Sequence, residues 1–172
     1  MSSRVILKRS IKRRIAFGHP WVYDNEIDRS DVIDDGSIVD VVTYSGQFLG
    51  RGYYNSGSTI RVRLLTRRNC RFDVDFFSRK IERSAFLKSS LLRTSDAMRI
   101  VFGEADGLPG LIVDRFSGWL VVQFNTLGIA HLKDVIVEAL ISVLKPKGIF
   151  EKSEGISLTK EGLDAREDWI YG

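Results

Sequence analysis

Four groups of residues in this sequence have types and spacings suited to chemistry. The first is the loop from Gly103 to Gly110, reading GEADGLPG. There Glu104 and Asp106 stand two apart among three glycines and a proline that impose tight backbone geometry. Such a pair suits acid/base work or cation binding, and suits equally well a solvated acidic turn. The second is Cys70, the single cysteine, with Arg67, Arg68 and Arg71 around it. Nearby cations lower a thiol pKa towards the nucleophilic thiolate, but without a surrounding pocket the residue reads as incidental. One cysteine also excludes an internal disulfide and a thiolate zinc site of the usual ligand number. The third is His19, in Gly18-His19-Pro20-Trp21-Val22-Tyr23; nothing close in sequence completes a triad, so a loop hydrogen-bonding role is the plainer reading. The fourth is a set of cations, Lys8, Arg9, Lys12, Arg13 and Arg14, then Arg61, Arg63, Arg67 and Arg68, whose chemistry is phosphate contact.

The elements that must position these groups follow from local patterns. Arg4 to Leu7 reads as a short strand and Lys8 to Phe17 as one or two helical turns, with Ile11 and Ile15 four apart on a core-facing stripe. Lys8 and Lys12, and Arg9 and Arg13, recur at that interval, so they flank the stripe as a basic face, and no acidic partner is close in sequence. Pro20 biases His19 away from helix, so Trp21 and Tyr23 leave along an extended path on one face, to stack on bases or to fill a core. From Ser37 to Thr66 all is strand: Ile38 to Val42, Phe48 to Tyr54 and Thr59 to Leu65, separated by turn residues. In the last of these, Ile60, Val62 and Leu64 alternate with Arg61 and Arg63, which puts both arginines on the face away from the core, with Arg67, Arg68 and Arg71 extending the stripe. Gly50-Arg51-Gly52 lies inside a strand pattern with no helix after it, so it reads as a bulge or close backbone approach rather than a phosphate loop.

Beyond Cys70 to Asp73 the pattern changes. Phe72 to Arg93 reads as a long helix capped by Asp73 or Asp75, with Phe77, Ile81 and Ala85 on one face. A strand follows near Met98 to Phe102, then the acidic loop, then a hairpin of Leu111 to Asp114 and Trp119 to Phe124 around Phe116-Ser117-Gly118. A helix from Gly128 to Leu144, a strand from Gly148 to Lys152 and a polar segment complete the chain. Lys133 and Glu138 fall outside the apolar stripe of that second helix. The expected fold class is mixed α+β, a small β-barrel over 1–71 followed by an α/β domain over 72–172 with helices on a small sheet.

Composition sets bounds on function. The 172 residues are 44% hydrophobic and 28% charged, enough for one domain or two small ones. No apolar run approaches the ~20 residues of a membrane span, and the N-terminus lacks a secretory signal; the expectation is a cytoplasmic protein with no membrane partner. Residues 1–71 hold 13 Lys+Arg against 7 Asp+Glu, whereas 72–172 hold 13 against 15. The excess of +6 in the first part points to an anionic partner, nucleic acid or a phosphate-rich surface.

Gly103 to Phe116, reading GEADGLPGLIVDRF, resembles the linker domain of the PUA-containing, S-adenosylmethionine-dependent rRNA cytosine-5 methyltransferases. Gly18 to Tyr23, Phe48 to Asn55 with Ser58 to Leu65, and more loosely Gly148 to Ser153 with Glu161 to Leu163, carry the same resemblance in the same order. In the loosest stretch Lys152, Glu154 and Lys160 depart from the expected arginines and aspartate. The resemblance implies a PUA-like RNA-binding domain over 1–71 and a linker domain of EEHEE type over 72–172. It implies RNA contacts at Lys8, Arg9, Lys12, Arg13, Arg14, His19, Trp21, Arg61, Arg63, Arg67 and Arg68, and a substrate-positioning role for Glu104 and Asp106.

In that family, S-adenosylmethionine and the cysteine nucleophile belong to a Rossmann-like domain after the linker. No glycine-rich turn between a parallel strand and a helix occurs here, so the expectation is a chain without catalytic residues, cofactor site or metal site of its own, whose catalytic domain is absent or separate. The implied partner is rRNA. The alternatives are a stand-alone RNA-binding module in ribosome assembly and a dimerising scaffold fragment.

Overall fold

The structure, a computed structural model, describes residues 3–10, 13–89 and 95–172. These fall into two compact units, 1–70 and 71–172.

The first unit holds β1 (Ser3–Leu7), α1 (Arg13–Ala16), β2 (Trp21–Val22), β3 (Ile27–Ser30), β4 (Ile38–Val42), β5 (Phe48–Tyr54) and β6 (Val62–Thr66). One six-stranded sheet runs β2-β6-β5-β4-β1-β3. A 3-10 turn at Asp24–Glu26 joins β2 and β3, the two outermost strands, so the sheet curls on itself into a half-barrel. β-branched residues and leucines at alternate strand positions fill its inside: Val5, Leu7, Val22, Val39, Val41, Val62 and Leu64, with Ile15 of α1 as a plug. Gly52 reflects a close approach between β5 and β6, because a Cβ there would overlap the Arg63 carbonyl and lie 2.7 Å from Leu64 Cα. The ladder shifts register at Arg51/Gly52, so the Gly50-Arg51-Gly52 stretch is both a bulge and a close approach.

The second unit holds α2 (Val74–Lys88), β7 (Ala97–Phe102), β8 (Leu111–Phe116), β9 (Trp119–Phe124), α3 (Leu127–His131), α4 (Lys133–Leu144), β10 (Gly148–Ser153), α5 (Ile156–Glu161) and β11 (Arg166–Tyr171). Its five strands run β11-β10-β9-β8-β7, all antiparallel except β9 and β10, which α3 and α4 connect as a crossover. Leu111, Val113, Leu120, Val122, Phe124 and Ile149 are buried on one face of this sheet, and Phe77, Ile81, Ile136 and Leu140 are among the buried residues of the helices α2 and α4, which pack on each other.

Four expectations need correction here. Asp73 does cap α2, its side chain accepting from the Phe76 amide at 2.9 Å, but the helix ends at Lys88, and 90–93 lie outside the described residues. Its buried face includes Ser84 rather than Ala85, because the Ser84 hydroxyl donates to the Ile100 carbonyl at 2.5 Å and so enters the core satisfied. The helix expected over 128–144 breaks at Leu132, whose φ of −94° and ψ of 10° turn the chain between α3 and α4. The closing polar segment forms α5 and an edge strand, β11, which reads as loop because Arg166, Glu167 and Asp168 keep its outer positions charged.

Candidate nucleic-acid interface

The strand order gathers much of the basic set around α1. β1 ends at Leu7, so Lys8 and Arg9 leave the sheet beside the turn between β4 and β5, where the Arg9 guanidinium lies 4.6 Å from the centre of the Tyr44 ring. β6 ends at Thr66, and Arg67 reaches from there to three carbonyls, Ile15 at 2.9 Å, His19 at 3.0 Å and Leu49 at 3.1 Å. Arg67 therefore ties α1, the loop after it and β5 together. Desolvation of its guanidinium in that position pushes its pKa down. Lys8, Arg9 and Arg68 are exposed, and Lys8 Nζ donates to the Asn25 carbonyl at 2.8 Å. Lys12 lies outside the described residues, as does the side chain of Arg13.

The remaining cations are built into the scaffold. The Arg14 guanidinium pairs with the buried Glu26 carboxylate, donates to the Trp21 carbonyl at 2.7 Å and lies 4.7 Å from the centre of the Tyr23 ring. The acidic partner absent from the local sequence is thus supplied from twelve residues away. Arg14 Nη1 also stands 3.1 Å from His19 Nδ1, and the Trp21 amide is 3.2 Å from the same nitrogen. Two donors aimed at Nδ1 assign the proton to Nε2. His19 thus acts as the loop hydrogen-bonder its sequence suggests, with its ring edge-on to Trp21 at 5.2 Å.

The arginine stripe expected along β6 is not what the structure contains. Arg61 precedes the strand and forms a two-pronged contact with Asp24, at 3.0 and 2.7 Å. Arg63 points away from the half-barrel core, as its alternation requires, yet it is only 9% exposed. Its cross-strand neighbours are Trp21 on β2 and Tyr53 on β5, two large aromatics directly opposite it that cover its aliphatic stem. Trp21 is half-buried for the same reason. Between these braces lies an open groove of ≈ 660 Å³ lined by Arg14, Tyr23, Asp24, Asn25, Glu26 and Thr59.

The acidic loop of the second unit divides its two carboxylates between different tasks. Residues Gly103–Asp106 form a 3-10 turn, and the buried Leu108 anchors the loop, its amide bonded to the Gly103 carbonyl at 2.9 Å. Asp106 turns inwards and accepts from Lys88 Nζ and from the Phe102 amide, each at 2.6 Å. Burial pushes its carboxyl pKa up, but the hydrogen bonds from Lys88, Ser84 and Phe102 outweigh that and hold it below the usual carboxylate range. Asp106 is therefore a latch between loop and helix α2. Glu104 is exposed and lines a cleft of ≈ 360 Å³ with Lys80 and Arg83. Among the described residues no group of three or more His, Cys, Asp or Glu side chains is placed to hold a metal ion.

A polar pair that sequence inspection set aside also emerges. Lys133 pairs with Glu151, which is 3% exposed, while the Ser153 hydroxyl donates to Glu151 at 3.1 Å and accepts from the Phe124 amide at 2.9 Å. The only sequence signal is a glutamate at an inward-facing position of a strand, Glu151 in Gly148 to Ser153. Cys70 contributes its backbone carbonyl to Arg51 at 2.9 Å, while Arg51 grips Asp40 at 2.7 and 2.9 Å.

The β9-α3-α4-β10 crossover does not fit the nucleoside of S-adenosylmethionine in the manner of a doubly wound nucleotide-binding fold. In the β9-α3-α4-β10 crossover the strand is followed by Asn125 and Thr126 instead of a glycine-rich turn, and Gly128 is buried within α3. No described helix is long and apolar enough to cross a membrane.

Comparison with known proteins accords with this geometry. Residues 5–67 match the family described as PUA-like domain. Over its whole length the chain is 34% identical to ribosomal RNA large subunit methyltransferase I of Shewanella denitrificans, of which it covers 45%, and 32% identical to the protein of that name in Aliivibrio fischeri, of which it covers 44%. It spans less than half the length of these relatives. Among solved structures, a protein of Streptococcus mutans described as a SAM-dependent methyltransferase superposes on 98% of the chain with a TM-score of 0.81 at 15% identity; 43% of that protein is covered, and the likeness is one of fold. The half-barrel thus matches the PUA-like domain family, in a chain similar along its whole length to the N-terminal part of ribosomal RNA large subunit methyltransferase I.

Proposed function

We propose that this chain is the RNA-binding and substrate-positioning portion of an S-adenosylmethionine-dependent methyltransferase acting in the cytoplasm on carbon 5 of a cytosine in large-subunit rRNA. The observation that carries the reading is the PUA-like match over residues 5–67 within a chain related along its full length to rRNA methyltransferases. The exposed cations Lys8, Arg9 and Arg68, with Lys12 and Arg13 continuing the same segment, are the phosphate contacts. His19 and Trp21 lie among them and offer ring edges to an unstacked base. Arg14, Arg61, Arg63 and Arg67 hold the surface in shape rather than meeting RNA first. In the second unit Glu104 positions substrate and Asp106 fixes the loop that carries it. On this reading methyl transfer is supplied by a further domain, in the same chain or separately, and these residues bring RNA to it.

The test is a filter-binding titration with large-subunit rRNA at two salt concentrations. The affinity should fall steeply with salt, and replacing Lys8, Arg9 and Arg68 together with alanine should flatten the slope by roughly 0.7 to 0.9 per lost phosphate contact. An unchanged slope would remove this surface, and failure to bind at low ionic strength would end the reading. With labelled S-adenosylmethionine, the 172 residues alone should transfer no methyl group to rRNA.

A further inference from the structure

The groove of ≈ 660 Å³ in the first unit has the size of a small-molecule site, roughly 300 to 1,000 Å³. Its lining carries two carboxylates and one guanidinium, and each of these charges is already matched. Arg14 pairs with Glu26, and Asp24 on the rim takes Arg61 at 3.0 and 2.7 Å. A phosphate therefore gains little inside it. The pairing uses only one oxygen of each carboxylate. The Arg14 guanidinium and the Tyr23 amide both donate to Glu26 Oε2, and both Arg61 contacts go to Asp24 Oδ1. Among the described residues nothing donates to Glu26 Oε1 or to Asp24 Oδ2. A carboxylate oxygen only accepts, so the groove offers two acceptors without donors. Glu26 is 8% exposed, and shielding from water makes its idle oxygen the more demanding of the two.

These features select the ligand. The Tyr23 ring supplies an aromatic wall for a planar group. Lys8 reaches the Asn25 carbonyl of the lining at 2.8 Å, so one of the exposed cations stands beside the groove. A nucleotide with its phosphate at Lys8 can lay its base between these walls, the usual way in which single-stranded RNA is read. Of the four RNA bases, guanine alone has two adjacent donors, N1–H and the N2 amine, on its Watson–Crick edge. Uracil sets its single N3–H between two carbonyls, which carboxylate oxygens repel, and adenine and cytosine place an acceptor beside the amine. We propose that the groove of the half-barrel is a pocket for one unstacked guanine of the bound RNA, read by Glu26 Oε1 and Asp24 Oδ2. The inference rests on the RNA-binding reading above and deepens it: the cations supply affinity without sequence preference, and the groove supplies the preference.

The test is fluorescence anisotropy of the full chain with labelled single-stranded nonamers of uridine that carry guanine, hypoxanthine, adenine, cytosine or uracil at the centre, at low salt. Central guanine should bind about tenfold more tightly than uracil, and hypoxanthine, which lacks the N2 amine, should lose most of that gain. Glu26→Gln keeps the side-chain shape; its amide oxygen stays with Arg14 and the Tyr23 amide, so the NH2 takes the place of Oε1. An acceptor becomes a donor, and the guanine preference should vanish or reverse towards uracil, a change that a general loss of structure does not produce. Asp24→Asn, on an exposed side chain, should cut the preference about threefold and carries the test if thermal melts show that Glu26→Gln does not fold. Equal affinity for all the nonamers, or a guanine preference retained in each variant that folds, would overturn the proposal and leave salt-dependent RNA binding standing. Binding of no nonamer would remove both. Free guanosine 5′-monophosphate that competes as well as the guanine nonamer would overturn the assignment to RNA.

Discussion

Asp106 Oδ2 stands 2.6 Å from Lys88 Nζ, joining the tip of the Gly103–Gly110 loop to the last turn of α2 across eighteen residues of sequence. The same oxygen takes the Phe102 amide, so one carboxylate closes both a loop and a helix end.

Replacing that carboxylate should be a stability change with a defined pH window. Asp106→Asn loses a charged hydrogen bond in a largely buried setting and should cost about 2 kcal/mol at neutral pH. The folded-state pKa of Asp106 is lower than its unfolded value, so its contribution is complete above the ordinary carboxylate pKa of about 3.9 and is lost as the pH falls below that through the folded value. Denaturant melts of wild type and variant should differ at pH 7 and converge in acid. A constant difference down to pH 2 would refute the latch.

Gly110 should tolerate no side chain. Its φ is +81°, and a Cβ there would overlap Thr126 Oγ1 and lie 2.7 Å from Thr126 Cγ2. Gly110→Ala combines left-handed strain with a steric clash and should lower stability by about 2 kcal/mol or more. Gly46→Ala, which also has a positive φ but open space around it, should cost less. Melting temperatures of the two variants measure the difference.

Arg67 and Arg68, adjacent in sequence, should separate stability from binding. Arg67→Ala strands three carbonyls that Arg67 now satisfies and should lower the thermal stability of the first unit by about 1 to 3 kcal/mol. Arg68→Ala should leave the melt unchanged and weaken RNA binding, most visibly at low salt. Differential scanning fluorimetry beside filter binding reads both, and the reverse pattern would exchange their roles.

Lys133 and Glu151 should behave as a coupled pair. Lys133→Met leaves a carboxylate buried without its cation and should cost about 3 kcal/mol. Adding Glu151→Gln should recover much of that loss, because a neutral amide needs no cation. A double-mutant cycle by chemical denaturation gives the coupling energy, and strict additivity would count against the pair.

Local chemistry was enough to read the strands Ile38 to Val42 and Phe48 to Tyr54, a helix cap at Asp73 or Asp75 and the hairpin over Leu111 to Phe124, since alternation, turn residues and capping oxygens act over a few neighbours. The family resemblance was legible for the same reason, being carried by short contiguous motifs. What the cations do was decided only by folding. Arg14 finds Glu26 twelve residues away, Arg67 reaches a carbonyl fifty-two residues away, and Arg63 disappears between Trp21 and Tyr53. Sequence period assigns a residue to a face of its strand, but whether that face meets water depends on which strands lie beside it. Among the described residues that neighbourhood also leaves aromatic side chains exposed on one side of the second sheet, with Trp119, Phe150 and Trp169 brought together from three strands.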